Sequence, residues 1–108
     1  MILLALVSTL IPQPQPADAQ SADIVVIAKR AEAGRVALRQ DRKTGRQSCK
    51  VTRSSGDPEI DRRVCGVVLA CTPANATAKD RDEVMLCYRP RMREMVVELA
   101  AERARLRQ

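Results

Sequence analysis

Residues 49–65, CKVTRSSGDPEIDRRVC, combine an alternating segment, a polar turn and a helix start. Cys49 and Val51 lie on one face of the alternating segment and polar side chains lie on the other, which predicts a strand over 47–53. The Ser-Ser-Gly that follows predicts a turn. Asp57 is a favourable helix N-cap, and the proline after it suits the first helical position, where its missing N–H costs no hydrogen bond. We therefore predict a strand that leads directly into a helix.

The predicted helix has an apolar face, and a second strand precedes the first. Apolar residues recur at helical spacing up to Thr72-Pro73, where the helix is expected to end. They are Ile60, Val64, Val67, Val68 and Cys71. Residues 35–40 alternate loosely, and residues 41–45 are polar and end in glycine. Together with the strand over 47–53 they predict a β-hairpin.

The C-terminal segment predicts a second helix from Arg91 onward. Its apolar residues share one helical face, its glutamates lie four apart on another, and arginines near its end suit the helix dipole. The apolar face consists of Met92, Met95, Val96, Leu99 and Leu106. Residues 84–88 are too few for their periodicity to distinguish a strand from a helical turn, and Pro90 interrupts or restarts the pattern.

Four cysteines allow three pairings, and the predicted elements favour one of them. Cys49 faces the side of its strand that the first helix is expected to cover, and Cys65 lies near the apolar face of that helix. Cys71 ends the same helix and Cys87 precedes the final one, so the predicted disulfides are Cys49–Cys65 and Cys71–Cys87. Each would close a loop of about 16 residues, worth roughly 3 kcal/mol in the chain-entropy model. No C-x-x-C is present, so neither a zinc site nor a redox pair is predicted.

The N-terminus has the pattern of an export signal. An apolar run over 2–11 is followed by prolines and by the small-x-small triplet Ala17-Asp18-Ala19, although no basic residue precedes the run. The run is too short for a membrane-spanning helix, which needs about 20 residues. We therefore predict a cleaved signal peptide over 1–19 and a periplasmic or secreted protein. In such oxidising compartments cysteines are expected to form disulfides.

The length of the chain after the predicted signal indicates one small domain. We predict a flexible N-terminal segment over 20–34, in which the β-branched run 24–27 is a candidate third strand, followed by a single α+β domain over 35–108. The fold class is α+β, a small hairpin packed on two helices and stabilised by disulfides. Because Tyr88 is the only aromatic residue, the core is expected to be aliphatic. Whether the N-terminal segment packs on the domain is left open.

Composition argues against catalysis. The chain has no histidine, which is the usual general base, and no Gly-rich loop for phosphate. Its paired carboxylates lie only on surfaces that are predicted to be solvated. We therefore expect no enzyme activity and no catalytic, cofactor-binding or metal-binding residues. A nucleic-acid partner is not expected either, because stacking aromatics are almost absent and the protein is predicted to act outside the cytoplasm.

Residues 49–65 resemble part of the TonB C-terminal domain family. In that family a strand runs into a Ser-Ser-Gly turn and a helix that opens with an apolar-Asp pair, and some members carry cysteines at the positions of Cys49 and Cys65. Those domains are periplasmic and bind the N-terminal box of outer-membrane receptors as an added edge strand. Residues 23–28, DIVVIA, are similar to that receptor box itself. The resemblance implies an interaction module of the cell envelope.

Two binding functions follow from these features. The first is a protein-interaction module that pairs with an envelope protein through a hairpin edge or by adding a strand of its own. The candidate residues for the added strand are Ile24, Val25, Val26 and Ile27.

The alternative is a basic protein that binds lipopolysaccharide, anionic lipid or acidic glycan. Cleavage of the signal would remove Asp18 and no basic residue, which raises the formal charge from +6 to +7. The candidate anion-binding residues are Arg89, Arg91, Arg93, Arg103, Arg105 and Arg107. A third interpretation is that the arginines only solvate a small secreted domain.

Overall fold

A computed structural model describes residues 16–107 of the chain. It contains, in chain order, α1 (Pro16–Ala33), β1 (Arg35–Gln40), β2 (Gln47–Arg53), α2 (Pro58–Cys71), a short 3-10 turn (Ala78–Asp80) and α3 (Arg81–Leu106). The predicted α+β class is confirmed, with a two-stranded hairpin, helices and two disulfides. Most of the predicted signal peptide over 1–19 lies outside the described residues.

β1 and β2 form an antiparallel hairpin with the bounds predicted from the sequence. Val36 pairs with Val51 and Leu38 pairs with Cys49. These four side chains therefore share one face of the sheet, and the disulfide of Cys49 directs that face toward α2. The register shifts next to Val36, an irregularity of the kind that bends a hairpin and increases its twist.

Two acidic side chains hold the start of α2. The Asp57 carboxylate accepts hydrogen bonds from two backbone N–H groups of the first turn, at 3.1 and 3.4 Å. The Asp61 carboxylate accepts from the Ser54 hydroxyl at 2.6 Å and from the Ser55 N–H at 2.9 Å. The predicted N-cap and turn are confirmed, and the Ser-Ser-Gly turn is fastened to the helix that it precedes.

The strand predicted over 24–27 is wrong, because these residues lie within α1. Ile27 is only 1% exposed and packs among core residues of the other two helices. Alanines on both sides of the run favour a helix, and burial of one helical face outweighs the β-propensity of the branched residues. The sheet formed by the described residues therefore has two strands. The segment 20–34 is also not a flexible leader, since α1 packs on α3 and belongs to the same domain.

Residues 84–88 are helical and lie in the first turns of α3. Their pattern in the sequence is too short to distinguish a strand from a helical turn. A capping box precedes them, in which the Thr77 N–H donates to the Asp80 carboxylate at 2.8 Å. Pro90 lies inside the helix and removes the hydrogen bond that an N–H at this position would donate. Leu86, four positions earlier, is 76% exposed, so water can hydrogen-bond to the carbonyl that lacks this donor.

The core lies where the three helices meet. Its buried side chains are all aliphatic or Met, as expected for a chain with a single aromatic residue. They are Ile27, Ile60, Val64, Met95, Val96, Leu99 and Ala100. The apolar face predicted for α2 is confirmed, and that of the final helix is confirmed except at Leu106, which is 84% exposed. One side chain of α1 completes the cluster.

Both predicted disulfides are present. Cys49 of β2 is bonded to Cys65 of α2, and Cys71 at the end of α2 is bonded to Cys87 of α3, each with a Cα–Cα distance of 5.6 Å. The first bond joins the hairpin to α2, and the second joins α2 to α3. The hairpin and the two helices that follow it are therefore connected covalently in series.

Candidate anion-binding site

The charge of the chain is concentrated in the hairpin. Residues 35–53 contain seven basic residues and one acidic residue, Asp41, a formal charge of +6 that equals the charge of the whole chain. The basic residues are Arg35, Arg39, Arg42, Lys43, Arg46, Lys50 and Arg53. The rest of the chain has twelve basic and twelve acidic residues. It is therefore formally neutral.

The positive charge of the hairpin is exposed and is not neutralised by neighbouring carboxylates. All seven basic residues are exposed. Within residues 16–107 none of them takes part in an ion pair. Asp41 instead accepts a hydrogen bond from the Lys43 backbone N–H at 2.8 Å and shapes the turn. We define residues 35–53 with these seven side chains as the basic hairpin.

The strand register places Arg39 and Lys50 on the face opposite to the one that packs toward α2. Arg39 and Lys50 lie on the sheet face opposite to the one that carries Leu38 and Cys49, because successive side chains of a strand alternate. The apolar face is fixed to α2 by the disulfide. The charged face is therefore directed away from the helix and toward solvent.

The tip of the basic hairpin is a closed turn. The Asp41 N–H donates to the Arg46 carbonyl at 2.9 Å, and the Gly45 N–H donates to the Asp41 carbonyl at 2.8 Å. Gly45 has a φ of +72°, a conformation that favours glycine. Beside the tip, the Gln47 side-chain amide donates to the Pro73 carbonyl at 3.2 Å. The charges are thus carried by a backbone that is held at its tip and, through the disulfide, along β2.

Two of the three arginines predicted to bind anions at the C-terminus already have carboxylate partners. Arg103 forms an ion pair with Asp57, with 2.7 Å between Nη2 and Oδ2, and Arg107 binds both carboxylate oxygens of Asp23. Arg105 is exposed. These partners lie 46 and 84 positions away in the sequence, so no local pattern indicates that the two arginines are neutralised.

The other three predicted anion-binding residues do not form one cluster. Arg89 and Arg93 line a groove between α1 and α3, whereas Arg91 lines a second groove between α2 and α3. Residues four apart share a face of a helix, and the residue midway between them points to another side. The helix therefore divides a group that is contiguous in the sequence.

The residues predicted to add as a strand are helical instead. Ile27 is buried and Ile24 packs against the core, whereas Val25 and Val26 are 54% and 50% exposed. Strand addition by this segment is a wrong prediction, because the backbone groups of a helix are already used within the helix. The hairpin remains a candidate for strand pairing, because each of its strands has one edge without a partner strand in the described part of the chain.

Outside the hairpin, arginines hold several carboxylates in the ionised form. Arg62 and Arg63 form ion pairs with Glu59 at 2.6 and 2.8 Å. Hydrogen bonds from Arg62 and then Arg63 lower the pKa of Glu59 to about 2. Burial opposes the ionisation of Asp57, but a hydrogen bond from Arg103 and two from backbone N–H groups outweigh it and lower the pKa of this carboxyl as well.

We expect the free energy of unfolding to decrease as the pH falls from about 4 to about 2. A carboxyl whose pKa is lower in the folded than in the unfolded chain stabilises the fold above its unfolded pKa, and this contribution is lost as the pH falls through the folded value. Urea unfolding followed by circular dichroism between pH 7 and pH 2 measures the effect. Asp57→Asn should flatten the acid limb of this curve, whereas Asp82→Asn, an exposed control, should not. A wild-type stability that stays constant down to pH 2 would contradict the prediction.

The described residues form neither a metal cluster nor a membrane-spanning helix. Residues 16–107 contain no group of three or more His, Cys, Asp or Glu side chains that could hold a metal ion. None of the helices in the same range is long and apolar enough to cross a membrane.

Comparison with protein-family models, curated proteins and solved structures gives no match. Residues 49–65 do contain the strand, the turn, the helix and the Cys49–Cys65 disulfide that the TonB resemblance implies. Membership of the TonB C-terminal family stays a prediction.

Proposed function

We propose that the chain is an exported binding protein without catalytic activity, and that the basic hairpin docks on an anionic surface of the cell envelope. The observation that carries this proposal is the location of the net charge. A formal charge of +6 lies on one exposed hairpin, whereas the remainder of the full sequence is formally neutral and becomes +1 when cleavage of the predicted signal removes Asp18. The target surface would be lipopolysaccharide phosphate or anionic phospholipid.

The physical chemistry of such a surface matches the residue types. Each Lys or Arg held close to an anionic membrane contributes about 1 kcal/mol to binding. Five of the seven basic residues are arginines, whose planar guanidinium binds phosphate with two parallel hydrogen bonds. Several charges on one fixed backbone also lose less conformational entropy on binding than the same charges on a flexible tail would.

Two features support an extracytoplasmic site of action. Both pairs of cysteines form disulfides, and such bonds are typical of secreted and periplasmic domains. The N-terminal pattern over 1–19 is that of a cleaved signal peptide. We therefore propose a periplasmic or secreted location.

The proposal predicts a large loss of membrane binding when hairpin charge is removed. Replacement of Arg39, Lys43 and Lys50 by glutamine should weaken binding to phosphatidylglycerol vesicles by about 100-fold, since three contributions of about 1 kcal/mol are lost. Binding of the wild-type protein should also weaken steeply as NaCl rises from 50 to 500 mM. Vesicle co-sedimentation measures both effects, with phosphatidylcholine vesicles as the uncharged reference.

A matched control separates the location of the charge from its amount. Lys29, Arg81 and Arg105 are exposed and lie outside the hairpin, and their replacement by glutamine removes the same three charges. This control should lose less than about tenfold in affinity. Equal losses in the two triple variants would show that net charge alone drives binding. Absence of wild-type binding to phosphatidylglycerol vesicles would exclude anionic phospholipid as the target surface.

A second candidate is protein interaction by strand pairing at the hairpin. The unpaired outer edges of β1 and β2 within the described residues support it, as does the resemblance of residues 49–65 to the TonB C-terminal family. Backbone pairing to an added strand is only weakly sensitive to salt. Binding to an envelope protein that persists at 500 mM NaCl and in the glutamine triple variant of the hairpin would favour this candidate over the first.

A further inference from the structure

A groove of about 750 Å³ lies between α1 and α3. Its apolar lining comes from both helices, with Ile24 and Ala28 on α1 and with Met92 and Val96 on α3. Alanine on the α1 side leaves space that a longer side chain would fill. The volume falls within the range of roughly 300–1,000 Å³ that is typical of small-molecule sites.

The rim of the groove carries charge. Arg89 and Arg93 lie one turn apart on the α3 side, and Glu32 lies on the α1 side. Both arginines are exposed, and within the described residues neither takes part in an ion pair. By contrast, Arg103 of the same helix and Arg107 at its C-cap are paired with carboxylates. The groove therefore combines an apolar lining with two available cations at its edge.

We propose that this groove binds a single fatty acid, with its hydrocarbon tail along the apolar lining and its carboxylate at Arg89 and Arg93. Arginine pairs with a carboxylate through charge-assisted hydrogen bonds, and the tail is driven from water by the area that it buries. A single-chain amphiphile needs both features at adjacent positions. This site is independent of the basic hairpin, because no residue of the hairpin lines the groove.

A second copy of the chain is a less suitable occupant. A stable protein–protein interface involves about 20 to 30 residues on each side, and ten residues line this groove. A protein partner would therefore need a larger surface around it. The two arginines outnumber the single Glu32 on the rim, so two copies that faced each other through this groove would bring together more positive than negative charge.

The chain carries its own reporter of occupancy. Tyr88 is the only aromatic residue of the sequence, and it lines the groove. Burial already raises the pKa of its hydroxyl. A bound hydrocarbon chain would remove further water from the ring, so tyrosine emission should change on titration with a ligand.

The test compares head groups on one tail. The protein purified after export is titrated with laurate, dodecyltrimethylammonium and dodecyl maltoside, each below its critical micelle concentration, and affinity is measured by calorimetry and by Tyr88 emission. Laurate should bind at least tenfold more tightly than the cationic amphiphile. Decanoate, with two fewer methylenes, should bind about tenfold more weakly than laurate.

Variants of neighbouring residues assign the binding to the groove. Arg89→Gln combined with Arg93→Gln should weaken laurate binding by tenfold or more, whereas Arg91→Gln, which alters the other side of the same helix, should leave it unchanged. Glu32→Gln should strengthen laurate binding by removing a like charge from the rim. Ala28→Met should fill the groove and weaken the binding of all three amphiphiles. Circular dichroism and thermal unfolding confirm that each variant is folded.

Several results would overturn the proposal. Equal affinities for the three head groups would show that the arginines do not select a carboxylate. Laurate binding without a change in Tyr88 emission, or without loss in the Arg89 and Arg93 variant, would place the ligand elsewhere. If the protein dimerises in sedimentation experiments and Ala28→Met abolishes the dimer, the occupant of the groove is a second copy of the chain. The glutamine triple variant of the basic hairpin should bind laurate normally, so a failure of membrane docking is distinguishable from a failure of this site.

Discussion

Ile27→Ala is expected to lower the free energy of unfolding by about 3 kcal/mol, which is a large part of the stability of a small domain. Ile27 is 1% exposed and lies in the core cluster with Ile60 and Leu99. Its truncation removes buried hydrocarbon and leaves a cavity that the neighbouring helices can close only in part. Urea unfolding at pH 7 measures the change.

The neighbouring residue provides a control on the same helix. Val26 is 50% exposed, so Val26→Ala should change the free energy of unfolding by less than about 0.5 kcal/mol. The difference between the two variants measures how firmly α1 is packed on the domain. Equally small effects of both substitutions would mean that α1 does not contribute to the folded core.

Loss of the Cys49–Cys65 disulfide is expected to lower the free energy of unfolding by about 3 kcal/mol. The bond closes a loop with a sequence separation of 16, and in the chain-entropy model its removal returns that much conformational freedom to the unfolded chain. The variant replaces both cysteines by serine, and its stability is measured by thermal and urea unfolding. The hairpin should also lose rigidity, because this bond joins β2 directly to α2.

The second disulfide is a matched comparison. Cys71–Cys87 closes a loop of the same sequence separation, so its replacement by two serines should cost a similar free energy. It joins α2 to α3 and does not touch the hairpin. Membrane binding should therefore fall more in the first double variant than in the second. Equal membrane binding in the two folded variants would show that the disulfide does not organise the basic hairpin.

The two proposed sites lie on different elements, and this separates their physical requirements. The basic hairpin depends on charge and on a fixed backbone, whereas the groove depends on the packing of α1 against α3. Ile27→Ala should therefore disturb the groove more than it disturbs the hairpin. Replacement of Cys49 and Cys65 by serine should instead disturb the hairpin more than it disturbs the groove.

The sequence alone was sufficient for the hairpin, for α2 and for the pairing of the cysteines. The signals there are local and they agree with one another. Strand alternation, a turn that ends in glycine, an Asp-Pro helix start and an apolar helical face all lie within consecutive residues of 35–71. The concentration of positive charge in 35–53 could also have been found from the sequence, by counting charges separately for each predicted element.

Tertiary structure decided the parts where local preferences conflict or where partners are distant. The branched run 24–27 favours a strand by itself, but burial of Ile27 against two other helices makes it helical. Residues 84–88 become helical as part of a long helix that a disulfide and the core both hold.

The arginines also show what the sequence determines and what only the tertiary structure decides. Their number and positions are read directly from the sequence, but whether each one is available to a ligand depends on carboxylates that only folding brings near. Arg103 and Arg107 are paired with Asp57 and Asp23, which lie 46 and 84 positions away in the sequence. The helix separates Arg91 from the groove at Arg89. Composition therefore determined that the protein is basic, and the tertiary structure decided which of its charges remain exposed and unpaired, because neutralisation depends on distances in space.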